Sequence, residues 1–244
     1  ILINGGFSEV FTAFQITLLL LTSFAYWKFA PPPIRHKALR LLAIALIFSI
    51  LALAIVALAP GRAVRQANFT YRLSLPEIAV QTIVVTVSYI IMGLGVFSPV
   101  PLIVIVSFAM LTAYQLQQSN PRLHLHSKSV RTGMLLASGV GFIVIASTMA
   151  PPIYATSSSP PARGYIVAQT ALVSMAAAWG LVMGFGARSR PAQPGKLDRF
   201  AGILVLVVIT GTIFITLKNA PNIPVFEAYA SEWDNRDQAI RKQN

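Results

Sequence analysis

Seven long apolar stretches, separated by short segments rich in proline, glycine and basic residues, constrain the fold of this chain more than any other feature. They occupy residues 10–29, 39–59, 75–97, 102–116, 132–150, 164–186 and 201–217. A helix of about twenty apolar residues crosses ~30 Å of hydrocarbon, and a bilayer core accepts only structures whose backbone hydrogen bonds are satisfied internally. The pattern therefore predicts an all-α fold, a polytopic bundle of transmembrane helices.

The composition supports this class of protein and excludes others. Of the 244 residues, 55% are hydrophobic and 11% are charged, and the mean hydropathy is +0.69, values typical of a polytopic membrane protein. The chain has no cysteine, which excludes disulfides and cysteine metal sites. The net charge of +12 is not accompanied by interleaved aromatic and basic residues, so we assign it to loops that face anionic lipid and not to nucleic acid.

The basic residues indicate how many of the stretches cross the membrane. Counting all seven as crossings places Arg122, Lys128 and Arg131 outside, although Lys and Arg are expected in excess in cytoplasmic loops. If the stretch 75–97 instead enters and leaves on one side, eleven Lys and Arg residues fall inside. We therefore favour six full spans plus one interfacial or half-inserted helix, with both termini outside, over the seven-span alternative.

The stretch 75–97 carries a polar stripe that fits an interfacial or half-inserted helix. Thr82, Thr86 and Tyr89 recur at helical spacing and are flanked by Gln81 and Ser88. A stripe of this kind suits a helix that lies along an interface or lines a cavity.

The segments between the spans are predicted from proline, glycine and charge. Residues 31–33, 98–101 and 151–163 are predicted as connections, the last of them as a rigid outer loop. Residues 1–218 form the predicted transmembrane domain, and 219–244 form a charged tail outside the membrane that is helical over 226–242. Small residues that allow helices to approach closely are expected at helix interfaces: Gly133, Gly139, Gly141, Ala176, Ala177, Gly180 and Gly184.

Four short motifs carry a resemblance to a known family. They are Gly5-Gly6-Phe7-Ser8-Glu9, Ala59-Pro60-Gly61 with Arg65, Pro160-Pro161-Ala162-Arg163, and residues 229–237 with Ile240 and Arg241. The chain resembles the C-terminal half of an uncharacterised family of polytopic bacterial membrane proteins, which is itself similar to the GT-C glycosyltransferases. The resemblance implies a place in the bacterial cytoplasmic (inner) membrane and transfer of a sugar from a polyprenyl-phosphate carrier at its outer face.

The resemblance also implies partners. The expected ones are membrane lipids, a polyprenyl-phosphate carrier, and an N-terminal half or other membrane subunits, since GT-C enzymes usually place their catalytic acid in the first outer loop of the N-terminal half. Family members often carry Asn where this chain has Arg62, which is a departure from the family pattern.

Three arginines next to the predicted outer ends of spans form the candidate lipid-phosphate site: Arg62, Arg65 and Arg163. A guanidinium offers a planar fork of donors that matches phosphate oxygens. Ordinary headgroup contacts, or ion pairs with acids of the tail, are the alternative interpretation. The tail motif consists of Trp233, Asp234, Arg236 and Asp237. It is interpreted either as a helix held by salt bridges and one aromatic anchor or as part of substrate recognition.

Glu9 lies at the start of the first full span and is the candidate catalytic acid. It could bind a sugar hydroxyl, a divalent metal or Arg65, or it could cap the N-terminus of its helix. A divalent metal is the one candidate cofactor. A transporter is disfavoured because ionisable residues in the predicted spans lie only near their ends. A non-catalytic scaffold subunit of a larger complex remains the alternative to an enzyme.

Overall fold

The computed structural model describes residues 9–58, 73–95, 99–120, 125–157, 165–187, 199–222 and 224. Seven α-helices occupy these residues: α1 Glu9–Phe29, α2 Pro32–Leu58, α3 Leu75–Gly95, α4 Pro99–Ser119, α5 Ser127–Thr156, α6 Tyr165–Gly186 and α7 Arg199–Asn219, followed by a 3-10 turn at Ala220–Asn222. Each of the seven is long and apolar enough to cross a membrane. The predicted all-α bundle of an integral membrane protein is confirmed.

Prolines begin two of the helices earlier than the sequence pattern predicted. α2 starts at Pro32 instead of residue 39, and α4 starts at Pro99 instead of residue 102. Proline is favourable in a first helical turn, because its φ angle is already helical and the missing N–H would have had no partner within the helix. The segments 31–33 and 98–101, predicted as connections, are therefore largely helix starts.

α5 also extends further than predicted. It continues through Pro151 and Pro152 to Thr156, so the residues 151–156 of the predicted outer loop are helical. The helix ends at Ser157, which adopts the left-handed conformation (φ 53°, ψ 24°) and donates its N–H to the Ile153 carbonyl at 2.8 Å. A single left-handed residue is a common way to terminate a helix.

α5 and α6 form the centre of the bundle and run antiparallel. Trp179 Nε1 of α6 donates to Ser138 Oγ of α5 at 3.1 Å, and Gly141 of α5 lies directly against Met175 of α6. α1 packs on α5 and α2 packs on α1, while α4 packs on α6 and α7 packs on α4. The buried core cluster between α5 and α6 comprises Val144, Ile145, Met149, Ile153, Ala168, Ala171, Leu172 and Met175.

Two glycines allow α4 and α6 to lie side by side in close contact. A Cβ atom on Gly180 would overlap the Val106 carbonyl oxygen, and one on Gly184 would overlap the Met110 carbonyl oxygen. The order of these contacts shows that α4 and α6 run parallel. The prediction that small residues pack helices together is confirmed at Gly180 and Gly184, but a Cβ on Gly139 would meet no atom within 4 Å, so that glycine is not a packing residue.

α3 begins at the end of the bundle where α5 stops and α6 starts. The backbone N–H of Leu73, just before α3, donates to Ser157 Oγ at 3.3 Å. Further along α3, the ring of Tyr89 stacks on the ring of Tyr165, with 5.2 Å between centroids and 12° between planes. We call this end of the bundle, defined by Leu73, Ser157 and Tyr165, the Ser157 end.

α3 enters the bundle only part of the way. Near its C-terminus, a Cβ on Gly93 would lie 2.5 Å from Leu172 Cδ2. Leu172 is seven residues into α6, so Gly93 reaches a depth of about 10 Å below Tyr165 at 1.5 Å per residue. α4 begins at the same depth, because the parallel register that sets Gly180 beside Val106 and Ala109 also sets Leu172 beside Pro99.

This geometry distinguishes the two predicted topologies. In a strict seven-span alternation, the start of α3 and the end of α5 would lie on opposite sides of the membrane. The hydrogen bond between Leu73 and Ser157 places them on the same side, so α3 and α4 together make one crossing. The contacts therefore disagree with a strict seven-span alternation, and they make α3 and α4 successive parts of one passage through the bundle. The predicted count of six full spans plus one interfacial or half-inserted helix stays a prediction.

Candidate functional site

The Ser157 end joins the two connections that carry the predicted arginines. Residues 59–72, which include Arg62 and Arg65, lead to Leu73, and residues 158–164, which include Arg163, follow Ser157. Because Leu73 and Ser157 are hydrogen-bonded, both connections are attached to one point of the bundle. The three arginines themselves lie outside the described residues, as do Trp233, Asp234, Arg236 and Asp237.

The start of α3 at this end is held by a capping box. Both the backbone N–H and the hydroxyl of Ser74 donate to Glu77 Oε2 at 2.7 Å, and the Ser74 carbonyl accepts the N–H of Ile78 at 2.9 Å. A Ser-x-x-Glu sequence before an apolar run is the signature of this arrangement. That signature could have located the start of α3 from sequence, and it assigns Glu77 to helix capping.

Beyond the cap, two threonine hydroxyls of α3 are buried inside the bundle. Thr86 is 0% exposed and Thr82 is 8% exposed, and the Oγ1 atom of each forms no hydrogen bond with the protein. Other helical threonines behave differently: Thr17, Thr112 and Thr170 donate to the carbonyl four residues earlier at 2.9–3.1 Å. A buried hydroxyl without a partner costs about 1–3 kcal/mol.

The polar stripe of α3 faces the bundle and not the lipid. Ile78, Val85, Tyr89 and Ile90 pack against the core cluster of α5 and α6, and Thr82 and Thr86 lie on the same face. The opposite face is exposed and consists of large apolar side chains, namely Val80, Ile83, Val84, Val87 and Ile91. The predicted stripe therefore lies on the inner face of α3, and its role along an interface or in a cavity stays a prediction. The orientation of its hydroxyls depends on neighbouring helices, so the sequence alone could not reveal that they lack partners.

Glu9 lies in the first turn of α1 and is half-buried. Gln15 Nε2 of α1 donates to Ser49 Oγ of α2 at 2.9 Å, and this pairing between antiparallel neighbours sets Glu9 level with the last turn of α2. A carboxylate in a first turn is stabilised by the positive end of the helix dipole. None of the residues that the structure describes forms an ion pair with Glu9, and its convergence with Arg65 and Arg163 stays a prediction.

Within the described ranges, no three His, Asp or Glu side chains gather in an arrangement that could hold a metal ion. The carboxylates in those ranges are Glu9 and Glu77, and Glu77 is engaged by Ser74. The described part of the Ser157 end therefore offers hydroxyl donors and aromatic rings, and it is flanked in sequence by arginines.

Comparisons with protein-family models, with curated proteins and with solved structures found no match to this chain.

Proposed function

We propose that this integral membrane protein binds the phosphate of a polyprenyl-phosphate-type lipid at the Ser157 end, and that it serves a GT-C-like transfer of sugar from that carrier at the outer face of the membrane. The observation that carries the proposal is the hydrogen bond between Leu73 and Ser157. It joins Leu73 and Ser157, which are the described residues next in sequence to the connection with Arg62 and Arg65 and to the connection with Arg163.

A lipid phosphate has specific physical requirements that this place meets. The phosphate lies at the level of the membrane rim, where a guanidinium can form charge-assisted, bidentate hydrogen bonds with its oxygens. The polyprenyl chain needs an apolar surface beside that rim. The exposed face of α3 supplies one, since Val80, Ile83 and Ile91 are all more than half exposed.

The candidate acid belongs on the same side of the membrane. Leu58, the end of α2, is separated from Leu73 by fourteen residues that include three arginines, and a charged connection of this kind is not expected to cross a bilayer. Glu9 lies level with the last turn of α2 and would therefore share the outer face with Arg65 and Arg163. In this proposal Glu9 is the candidate group for activating an acceptor hydroxyl.

The alternative of a scaffold subunit has less support. Clustered small residues are compatible with such a subunit, but Gly180 and Gly184 are used inside the chain to pack α6 against α4. They leave no small-residue stripe on that face for another subunit.

The test is a binding measurement on the purified chain in lipid nanodiscs, with a polyprenyl phosphate as ligand. Arg65→Gln and Arg163→Gln should each weaken binding about tenfold or more, since a hydrogen bond to a charged group contributes ~1.5–3 kcal/mol. Lys128→Gln is the matched control, because Lys128 lies in the first turn of α5 at the opposite end of the bundle. Equal affinity in all three variants would exclude the arginines as the phosphate site.

A further inference from the structure

We infer that Thr82 and Thr86 are the hydroxyl donors of the lipid-phosphate site, and that the phosphate is bound between α3 and the bundle, in the stretch between the Leu73–Ser157 contact and the Tyr89–Tyr165 stack. The inference rests on the proposed function and adds to it two binding residues and a place. It starts from two hydroxyls that are more than nine-tenths buried and have no partner in the protein.

The two hydroxyls are placed to act on one ligand. Thr82 and Thr86 are four residues apart on α3, so their side chains lie one above the other on the same helix face. Neither hydroxyl donates to its own backbone, unlike that of Thr17, which bonds to the Ala13 carbonyl at 2.9 Å. Two neighbouring donors that are not used by the helix can reach oxygens of the same phosphate group.

The depth of Thr82 and Thr86 in the bundle matches that of a lipid headgroup just below the Ser157 end. Leu73, before α3, is bonded at the level of Ser157, and Tyr89 lies at the level of Tyr165. Thr82 and Thr86 lie between these two contacts on α3, close to the Ser157 end.

The distribution of carboxylates among the described residues around Thr82 and Thr86 favours an anionic ligand. Glu77, the only carboxylate on α3, is bonded to Ser74 at the exposed cap, one turn before Thr82. The described parts of α5 and α6 carry no carboxylate. A phosphate between α3 and α5 would receive two hydroxyl donors, and no carboxylate of the described α5 and α6 would repel it.

α3 can admit such a ligand because only one of its faces is attached. It packs mainly on α5 and touches α4 weakly, while its other face is exposed along its length. Separation of α3 from α5 would uncover both hydroxyls, together with the part of the α5–α6 core against which Ile78 and Val85 pack.

The experiment uses Thr82→Val and Thr86→Val in the full chain, because valine keeps the shape of threonine and removes only the hydroxyl. Native mass spectrometry of the detergent-solubilised protein would measure binding of a polyprenyl phosphate, of the matching polyprenol, and of inorganic phosphate. We expect the wild-type chain to bind the polyprenyl phosphate and not the polyprenol, each valine variant to bind it about tenfold more weakly, and Thr82→Ser to retain binding. Thr17→Val is the control and should bind as the wild type does.

The outcomes separate this inference from the proposed function. Unchanged binding by both valine variants, with binding by the wild-type chain, would overturn the threonine site and leave the arginine site standing. Absence of binding by the wild-type chain would overturn the proposed function and this inference with it. Competition by inorganic phosphate at the concentration of the lipid would overturn the lipid as the source of the phosphate. Thermal unfolding of the valine variants at or above the wild-type temperature would show that weaker binding is not a folding defect.

Discussion

At the scale of single residues, the packing of the bundle depends on where side chains are missing. Gly180 and Gly184 have no Cβ, and α4 lies so close that its carbonyl oxygens occupy the positions a Cβ would take. Such contacts permit the van der Waals packing that drives helix association in membranes. Gly139 belongs to the neighbouring helix α5 and has open space around the corresponding position.

Gly180 is in close contact with α4 and Gly139 has open space around it, so substitution by alanine should affect stability differently at the two positions. Gly180→Ala should lower the free energy of unfolding by about 1–3 kcal/mol, because the added methyl group must displace the backbone of α4. Gly139→Ala should leave stability unchanged or raise it by up to ~1 kcal/mol, because alanine has the higher helix propensity. Thermal unfolding in detergent measures both variants. Equal stability of the two proteins would show that α4 and α6 are not in close contact.

At the scale of the helices, the sequence predicted which segments are helical better than it predicted their ends. The apolar runs located all seven helices that the structure describes. The charge distribution together with the stripe of Thr82, Thr86 and Tyr89 predicted that α3 does not cross the membrane by itself, which stays a prediction. The ends were misplaced at Pro32, Pro99 and Pro151–Pro152. Proline was interpreted at these positions as a helix breaker. A proline in the first turn of a helix loses no hydrogen bond, which explains Pro32 and Pro99. α5 accommodates Pro151 and Pro152 within its last two turns.

The half-insertion of α3 predicts which residues face the same side of the membrane. Single cysteines at Leu75 and Ser157 should react with an impermeant thiol reagent from one side, and a cysteine at Ser127 should react only from the other. Since the chain has no natural cysteine, the background is zero. The charge distribution further predicts that the side of Ser127 is the cytoplasm. Reaction of the Leu75 and Ser127 positions from a common side would restore the seven-span topology.

At the scale of the whole molecule, the candidate site was only partly accessible to sequence reasoning. The arginines were located by their position beside the ends of apolar runs, but the contact between Leu73 and Ser157 joins residues 84 positions apart, and no local pattern predicts it. The buried hydroxyls of Thr82 and Thr86 are a property of the packed bundle for the same reason. Periodicity predicts the face of a helix on which a residue lies, and the neighbouring helices decide whether its polar atoms find partners.

The distribution of carboxylates over the molecule leads to the last prediction, which concerns catalysis. Transfer from a lipid carrier needs a carboxylate within hydrogen-bond reach of the reacting group, or a metal held by such groups. Of the two carboxylates that the structure describes, Glu77 is engaged by Ser74, and Glu9 lies in the first turn of α1. We therefore expect the 244 residues by themselves to bind a polyprenyl phosphate and to transfer no sugar from a lipid-linked donor.

The assay for this prediction compares the purified chain with its Glu9→Gln variant, using a polyprenyl-phosphate-linked sugar and following release of the lipid phosphate. Binding without turnover in both proteins is the expected result, because Glu9 is the one described carboxylate that is not engaged by Ser74, and it is set in no arrangement with a second acid among the described residues. Turnover by the wild-type chain that Glu9→Gln abolishes would instead identify Glu9 as the catalytic acid. Turnover that survives the substitution would move the acid to another part of the chain, and the acids of the tail, among them Asp234 and Asp237, would be the next to replace.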